Sequence, residues 1–441
     1  MDLMDSADDR DYLRVYLDDL KRTHANDSGY LEYYKDLKRA WNIIDSDDSD
    51  FEATQSFGDA PNSQALNSSK ENGSHVTGRG PHPISSSSSS SSSQPTKQIP
   101  YWKKIADTSF AVDAFNFDPS PEITYYFLSH FHYDHYIGLS SKFNGTIITS
   151  MITGKLVIDQ IGIKPSQVIM VTNRSPIVVD GIQVILIDAQ HCPGSVMFLF
   201  ILPDERRILH TGDFRASPEM ETDPFLIERP IDQIYLDTTY CHPAYNFPSQ
   251  MDTIQITIDL TLKHLSDDPK LLIVCGTYNI GKEKVFKSLA NGLSMNLWVN
   301  STKLKVLKII NDPIINENLV DDKDQAQIHV LPLSDINHQF LKGYLKGCCN
   351  RFSSILAFKP CGWEDCGTAE SIVPSVENNV YIYGIPYSEH SSYSELERFI
   401  KFFKPRMITS TVTHTNPDRR VSMFKSLAQW KSSYQNTSNS S

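Results

Sequence analysis

His130, His132, Asp134 and His135 fall within six positions of the run Leu-Ser-His-Phe-His-Tyr-Asp-His-Tyr-Ile-Gly-Leu, residues 128–139. Three imidazoles and a carboxylate crowded this closely are costly to place unless something holds them. The plain reading is a polar loop with satisfied histidines. Against it stands the spacing H-x-H-x-D-H, which is that of a two-metal site. At an extended strand end alternate side chains share a face, so His130 and His132 can grip one ion. The chain then turns, and Asp134 and His135 can face a second. Imidazole with carboxylate suits zinc, and catalytic zinc sites keep a position open for water.

Such a site needs ligands from elsewhere in the chain. The apolar run Val184-Ile185-Leu186-Ile187 reads as a strand delivering Asp188-Ala189-Gln190-His191. A second strand, Arg207-Ile208-Leu209-His210, runs into Thr211-Gly212-Asp213. His191 supplies a third imidazole to the first metal, and Asp213 bridges both. Upstream, Phe110-Ala111-Val112 ends in Asp113, placed to orient a ligand histidine from behind. One histidine or aspartate after a strand is ordinarily a loop residue; four fragments in this order are a specific pattern.

The elements that must carry these residues are short and β-rich from Ile99 onward. Strands are predicted at Phe110–Val112, Tyr125–Leu128, Thr146–Thr149, Val168–Val171, Gln183–Ile187, Val196–Ile201 and Arg207–Leu209, with the ligands at strand ends. Near Asp237 the pattern shifts to α/β. It has helices at Met251–His264 and Lys282–Asn291 and strands at Leu271–Cys275, Gln327–Val330 and Ser354–Phe358. A strand at Asn379–Tyr383, a helix at Tyr393–Phe403 and a strand at Met407–Thr411 come after these, and residues 432–441 read as frayed. Ahead of all this, residues 10–45 carry two apolar stripes broken at Asn26-Asp27-Ser28-Gly29. They read equally as a solvated helical hairpin or as a docking module for a protein partner. Residues 46–97 pass from acidic to Asn/Ser/Gly-rich and end in nine serines, Ser85 to Ser93, the composition of a disordered linker.

Composition narrows the class. The chain has 441 residues, 40% of them hydrophobic, enough for two domains and a sizeable core. No apolar run reaches the about 18 residues a membrane span needs, and the acidic start Met1-Asp2-Leu3-Met4-Asp5 is unlike a secretory signal. Seven scattered cysteines suggest free thiols in a reducing compartment. Cys361 and Cys366 lack a second pair at zinc-finger spacing. The formal charge of −12 argues against sequence-blind coating of DNA, but it leaves room for a local basic groove. Residues 1–100 hold 17 acidic and 10 basic side chains, and the remainder holds 36 and 31, several of them the expected metal ligands.

The segments Tyr235-Leu236-Asp237-Thr238-Thr239-Tyr240-Cys241, Cys275-Gly276-Thr277-Tyr278-Asn279-Ile280-Gly281-Lys282-Glu283 and Pro386-Tyr387-Ser388-Glu389-His390-Ser391 add a resemblance. With the histidine motif, they resemble the metallo-β-lactamase superfamily, in its β-CASP branch of DNA cross-link repair nucleases, over about residues 98–430. The resemblance implies an αββα metallo-β-lactamase sandwich at 98–244 and 376–431, with an inserted α/β β-CASP domain at 245–375 and a disordered tail at 432–441. It implies one or two zinc ions: His130, His132, His191 and Asp213 on the first, and Asp134, His135, Asp213 and His390 on the second. Asp134 would also orient or deprotonate the nucleophile, and Asp237 would hydrogen-bond near the metals. Thr277, Lys282, Ser388 and Ser391 would form a pocket for a terminal 5′-phosphate, although a lysine at a helix start is ordinarily just solvated.

The function this resemblance implies is a zinc-dependent 5′→3′ DNA exonuclease acting from 5′-phosphorylated ends in interstrand cross-link repair, monomeric and nuclear. Two other readings stay open: a β-CASP RNA endonuclease and a catalytically inactive scaffold. Two features depart from the family pattern. Tyr133 stands where many relatives have a small residue, and the amino-terminal cysteine-bearing finger of some relatives is absent. Val412 aligns with the position where the RNA branch has a ligating histidine, which favours DNA; His414, two residues on, keeps the RNA reading open.

Overall fold

The computed structural model describes residues 97–348, 351–361, 372–414 and 416–435. The expected helices within 10–45, the linker apart from Lys97, Cys366 and residues 436–441 lie outside the described residues.

Among the described residues the strands form three sheets. The first holds β1 (Phe110–Val112), β2 (Tyr125–Leu128), β3 (Thr146–Ser150) and β4 (Val168–Val171), all parallel. The next holds β5 (Ile177–Val179), β6 (Ile182–Asp188), β7 (Val196–Ile201), β8 (Arg207–His210) and β9 (Gln233–Leu236). The inserted sheet holds β10 (Leu271–Thr277), β11 (Leu297–Val299), β12 (Ile328–Pro332), β13 (Ser354–Pro360), β14 (Ser375–Glu377) and β15 (Val380–Ile385). The chain then returns to the preceding sheet with β16 (Met407–Ser410), parallel to β9.

Period-two alternation explains the layering. Phe127, Val184, Leu186, Phe198 and Phe200 pack between the first two sheets. Their neighbours Ile185, Ile187, Met197 and Leu199 face helices on the outside, meeting Phe399, Leu427 and Trp430. Ala111, Tyr126, Leu128 and Ile147 cover the other outer face with Leu156 and Val157. This is the αββα sandwich. The inserted sheet is buried on both faces, Ile273 and Cys275 toward one cluster and Leu272 and Val274 toward another, as a mostly parallel sheet between helices must be.

Five helices matter below: α1 (Tyr133–Tyr136), α2 (Glu283–Leu293), α3 (Ser301–Ile310), α4 (Tyr393–Phe403) and α5 (Pro417–Gln435). The structure corrects the sequence reading of the elements in three places. The strand at Asn379–Tyr383 pairs with β13 inside the inserted sheet, so the chain leaves that sheet only after Ile385, not at 376. Residues 432–435 are not frayed: α5 runs through Gln435, Trp430 is buried, and Tyr434 Oη donates to Pro405 O at 2.9 Å. Finally, Lys282 precedes its helix in the left-handed region, φ +65°, and α2 begins at Glu283.

Candidate metal centre

The candidate ligands arrive on the loops after β2, β6, β8 and β15, which open onto one cavity of about 740 Å³. At its base His130, His132 and His191 converge. His132 Nδ1 lies 2.9 Å from His130 Nε2 and 3.0 Å from His191 Nε2. Asp213 Oδ2 lies 3.1 Å from His135 Nε2 and 3.8, 3.8 and 3.9 Å from the Nε2 atoms of His130, His191 and His390. The ligand atoms of His130, His132 and His191, of His130, His135 and Asp213, and of His191, Asp213 and His390 each cluster within 4.8 Å.

The outer nitrogen of every one of these imidazoles is occupied. His130 Nδ1 meets Ser129 Oγ at 2.9 Å, whose own proton goes to Asp113. His132 Nε2 donates to Ile280 O at 3.0 Å, and His191 Nδ1 donates to Glu389 O at 2.9 Å. His135 Nδ1 donates to Asp113 Oδ2 at 2.6 Å, and His390 Nδ1 to Asp237 Oδ2 at 2.8 Å. In His130, His132 and His191 these partners fix the tautomer and leave a lone pair pointing inward. In this neutral triad the His132 Nδ1 lone pair faces those of His130 and His191 at about 3 Å, an arrangement that repels itself unless a cation lies among them. The donor set, imidazoles sharing one carboxylate, fits zinc.

Electrostatics divide the cluster. Burial holds His130 and His191 well below the ordinary histidine range, helped by the neighbouring imidazoles. Burial also pulls on His135, but Asp213 and Asp113 outweigh it and hold that imidazole well above its usual range. At His390 burial is likewise overcome, by Asp237 and Asp213, which raise it to about 9. Asp213, despite its burial, is held well below the carboxylate range by His135 and His390.

The family described as DNA repair metallo-beta-lactamase matches residues 313–416. Over 338 residues the chain is 42% identical to the DNA cross-link repair 1A protein of Homo sapiens, covering 76% of this chain and 32% of that protein. It is 38% identical to the DNA cross-link repair protein SNM1 of Arabidopsis thaliana, covering 76% and 70%. The chain belongs to this DNA repair metallo-β-lactamase family. It is also 33% identical to the 5′ exonuclease Apollo of Gallus gallus, over 68% of this chain and 61% of that one. It spans about a third of the length of the cross-link repair 1A proteins it matches.

Within this DNA repair metallo-β-lactamase, other residues singled out from the sequence fall on either side of the cavity wall. Asp134 stands at the mouth, its side chain 78% exposed and Oδ2 3.4 Å from His135 Nε2. A hydrogen bond from His135 keeps its pKa low. Tyr133 is 67% exposed on the same rim. Lys282 and Ser388 line the cavity, with Lys282 Nζ 5.1 Å from the Tyr278 ring centroid and 5.7 Å from that of Tyr387. Thr277 and Ser391 do not line it. Thr277 is buried in β10. The Ser391 hydroxyl donates to Phe214 O at 3.0 Å and accepts from Ala216 N–H at 2.8 Å, lacing the His390 loop to the Asp213 loop. Of the four residues expected from the sequence to form a phosphate pocket, Lys282 and Ser388 line the cavity and Thr277 and Ser391 do not. Val412 lines the cavity, whereas His414 Nε2 is 3.2 Å from Thr238 O and lies outside the lining.

Sequence reasoning passed over Lys103 and His210. Lys103 lines the cavity and its Nζ donates to Asp113 O at 2.7 Å. Burial lowers its pKa while Asp113, Asp213 and Asp134 pull it up. His210, which burial lowers to about 4, stacks on Tyr235 and accepts from Gly212 N–H at 3.0 Å. Neither belongs to a spaced motif. His210 ends β8 three positions before Asp213, which was a usable signal; Lys103, ahead of the first strand, carried none.

Proposed function

We propose that this chain is a metal-dependent phosphodiesterase that degrades DNA 5′→3′ from 5′-phosphorylated ends, acting as a monomer in the nucleus in interstrand cross-link repair. The observation that carries the proposal is the set of five inward-facing imidazoles, four of them on Asp213 and each held from behind. Family membership and the 5′ exonuclease activity of the Apollo relative support DNA and the 5′ polarity.

His130, His132, His191 and Asp213 would hold one zinc ion, and Asp134, His135, Asp213 and His390 a second. When bound, zinc supplies Lewis acidity and lowers the pKa of a coordinated water toward 7. Asp134, low in pKa and exposed at the mouth, is suited to orient the attacking water as an anionic acceptor. Asp113 and Asp237 fix the His135 and His390 rings through short charge-assisted bonds. Lys282 and Ser388 line the wall where a terminal phosphate would sit, and Tyr278 flanks Lys282 with a half-exposed ring on which a base can stack. Val412 in the lining, with His414 turned to a backbone carbonyl, supports DNA over the RNA branch. The clustering of six of the seven expected ligands, with Asp134 at the mouth beside them, speaks against an inactive scaffold.

The test is digestion of matched single-stranded DNA and RNA oligonucleotides, each bearing a 5′-phosphate or a 5′-hydroxyl, with Asp134→Ala as control. A ladder shortening from the 5′ end only on phosphorylated DNA, absent in the control, is the expected result. Internal cuts in RNA would replace it with the RNA reading. Two bound metals without cleavage of any strand would point to a scaffold.

A further inference from the structure

Two of the three imidazoles of the His130–His132–His191 group take their orientation from loops of the inserted sheet. His132 Nε2 donates to Ile280 O, in the loop after β10, and His191 Nδ1 to Glu389 O, after β15. The two loops are joined, because Lys282 N–H donates to Glu389 Oε1 at 2.6 Å. Behind Ile280 lies a buried ion pair. Lys303 of α3 is 5% exposed and Glu283 of α2 is 4% exposed, with Nζ 2.7 Å from Oε1. The pair's hydrogen bonds beyond that contact go to the loop's backbone. Lys303 Nζ donates to Tyr278 O and Asn279 O, both at 3.1 Å, and both Glu283 oxygens accept from Gly281 N–H at 2.9 Å.

A buried ion pair rarely stabilises a fold more than apolar side chains of similar volume would. Its contacts here suggest another use, since they pin the carbonyls and N–H on either side of Ile280. Gly281 points the same way. Its φ is +106°, and a Cβ there would lie 2.8 Å from Glu389 Oε2 and 3.3 Å from His132 Nε2. The loop backbone is pressed against the ligand imidazole as closely as a residue without a side chain permits.

The geometry points to Lys303 and Glu283 as positioning residues of the metal centre: they hold the Tyr278–Lys282 backbone so that Ile280 O fixes the His132 tautomer that presents Nδ1 to the ion. The inserted sheet thereby governs metal affinity as well as roofing the cleft. This rests on the reading that the histidine cluster holds metal.

The experiment uses the full chain with Lys303→Met/Glu283→Met, which removes both charges together and leaves neither stranded. Zinc affinity is measured by chelator competition, the Co2+-loaded visible spectrum reports ligand geometry, and melting of the metal-free protein reports the fold. The expected result is metal-free melting close to wild type, a roughly 10–100-fold weaker zinc affinity, and an altered Co2+ spectrum. A folded double variant with wild-type affinity and spectrum would overturn the inference. Should that variant fail to fold, Lys303→Gln removes the ammonium that holds Tyr278 O and Asn279 O while leaving an amide to face Glu283, and its zinc affinity reads the same quantity. Weakened zinc binding supports the inference, and unchanged binding overturns it. DNA digestion is scored separately: a wild-type chain that binds zinc but cuts no DNA defeats the nuclease reading while leaving the affinity comparison decisive.

Discussion

Asp213 is the residue on which the centre turns. One carboxylate oxygen faces four imidazoles at 3.1 to 3.9 Å, and without a cation the charge that balances it must come from His135 and His390. This has a pH consequence of definite sign. The folded pKa of His390, about 9, exceeds its unfolded value, so its contribution to stability is fully present below about pH 6.5 and is lost as pH rises through about 9. Metal-free protein should therefore melt lower at pH 9.5 than at pH 6.5, at fixed ionic strength. The same difference should shrink in Asp237→Asn, which removes the larger source of the upward shift. Asp237→Asn should also weaken zinc binding by roughly 10–100-fold, read by chelator competition, because the His390 ring loses its charged anchor. At this scale the sequence was legible wherever residue type and spacing limit the choice, as in His130 and His132. Ser391 was misread because a hydroxyl serves a phosphate or a backbone carbonyl equally well, and only its neighbours decide which.

Among the elements, the strand ends do the positioning, and two loops show how tightly. Gly212 sits at φ +54° between β8 and Asp213, and a Cβ there would lie 2.8 Å from Ser129 Cβ, whose hydroxyl holds His130. Gly212→Ala should destabilise the fold by about 1–3 kcal/mol in denaturant titrations and lower zinc stoichiometry, since the Asp213 and His130 loops must separate. Helix α4 begins shortly after His390 in a capping box, with Ser392 Oγ accepting from Glu395 N–H and Glu395 accepting from Ser392 N–H. Ser392→Ala should cost about 1 kcal/mol of stability, visible as a lower Tm. α4 was readable in advance over the residues it occupies, because Leu396, Phe399, Ile400 and Phe403 recur at helical spacing. β9 was not, because all four of its residues are buried and alternation vanishes when both faces are covered. α5 escaped for the opposite reason: its sequence is largely polar, and the buried face of Met423, Phe424, Leu427 and Trp430 emerges only against α4 and its sheet.

For the whole molecule, the two halves meet at the histidine cluster, because the carbonyls that hold His132 and His191 come from loops of the inserted sheet while those imidazoles come from the sandwich. Chelation should lower Tm reversibly, and zinc at about 100 times its Kd should restore about 2.7 kcal/mol, tracked by thermal scans across a zinc series. A sandwich folding independently of the insert would instead give two transitions, only one of them metal-dependent. The sequence by itself marked the histidines and the aspartate that the fold gathers into one cluster, the strand ends that carry them and the αββα class, because imidazoles at fixed spacing and period-two apolar runs are local patterns. Tertiary structure alone decided which sheet β15 joins, which hydroxyls face the cavity, and that Lys303, Glu283 and Ile280 stand behind His132. Those are contacts between residues as many as 177 positions apart, made largely with backbone groups that every sequence carries alike, so no spacing rule can announce them.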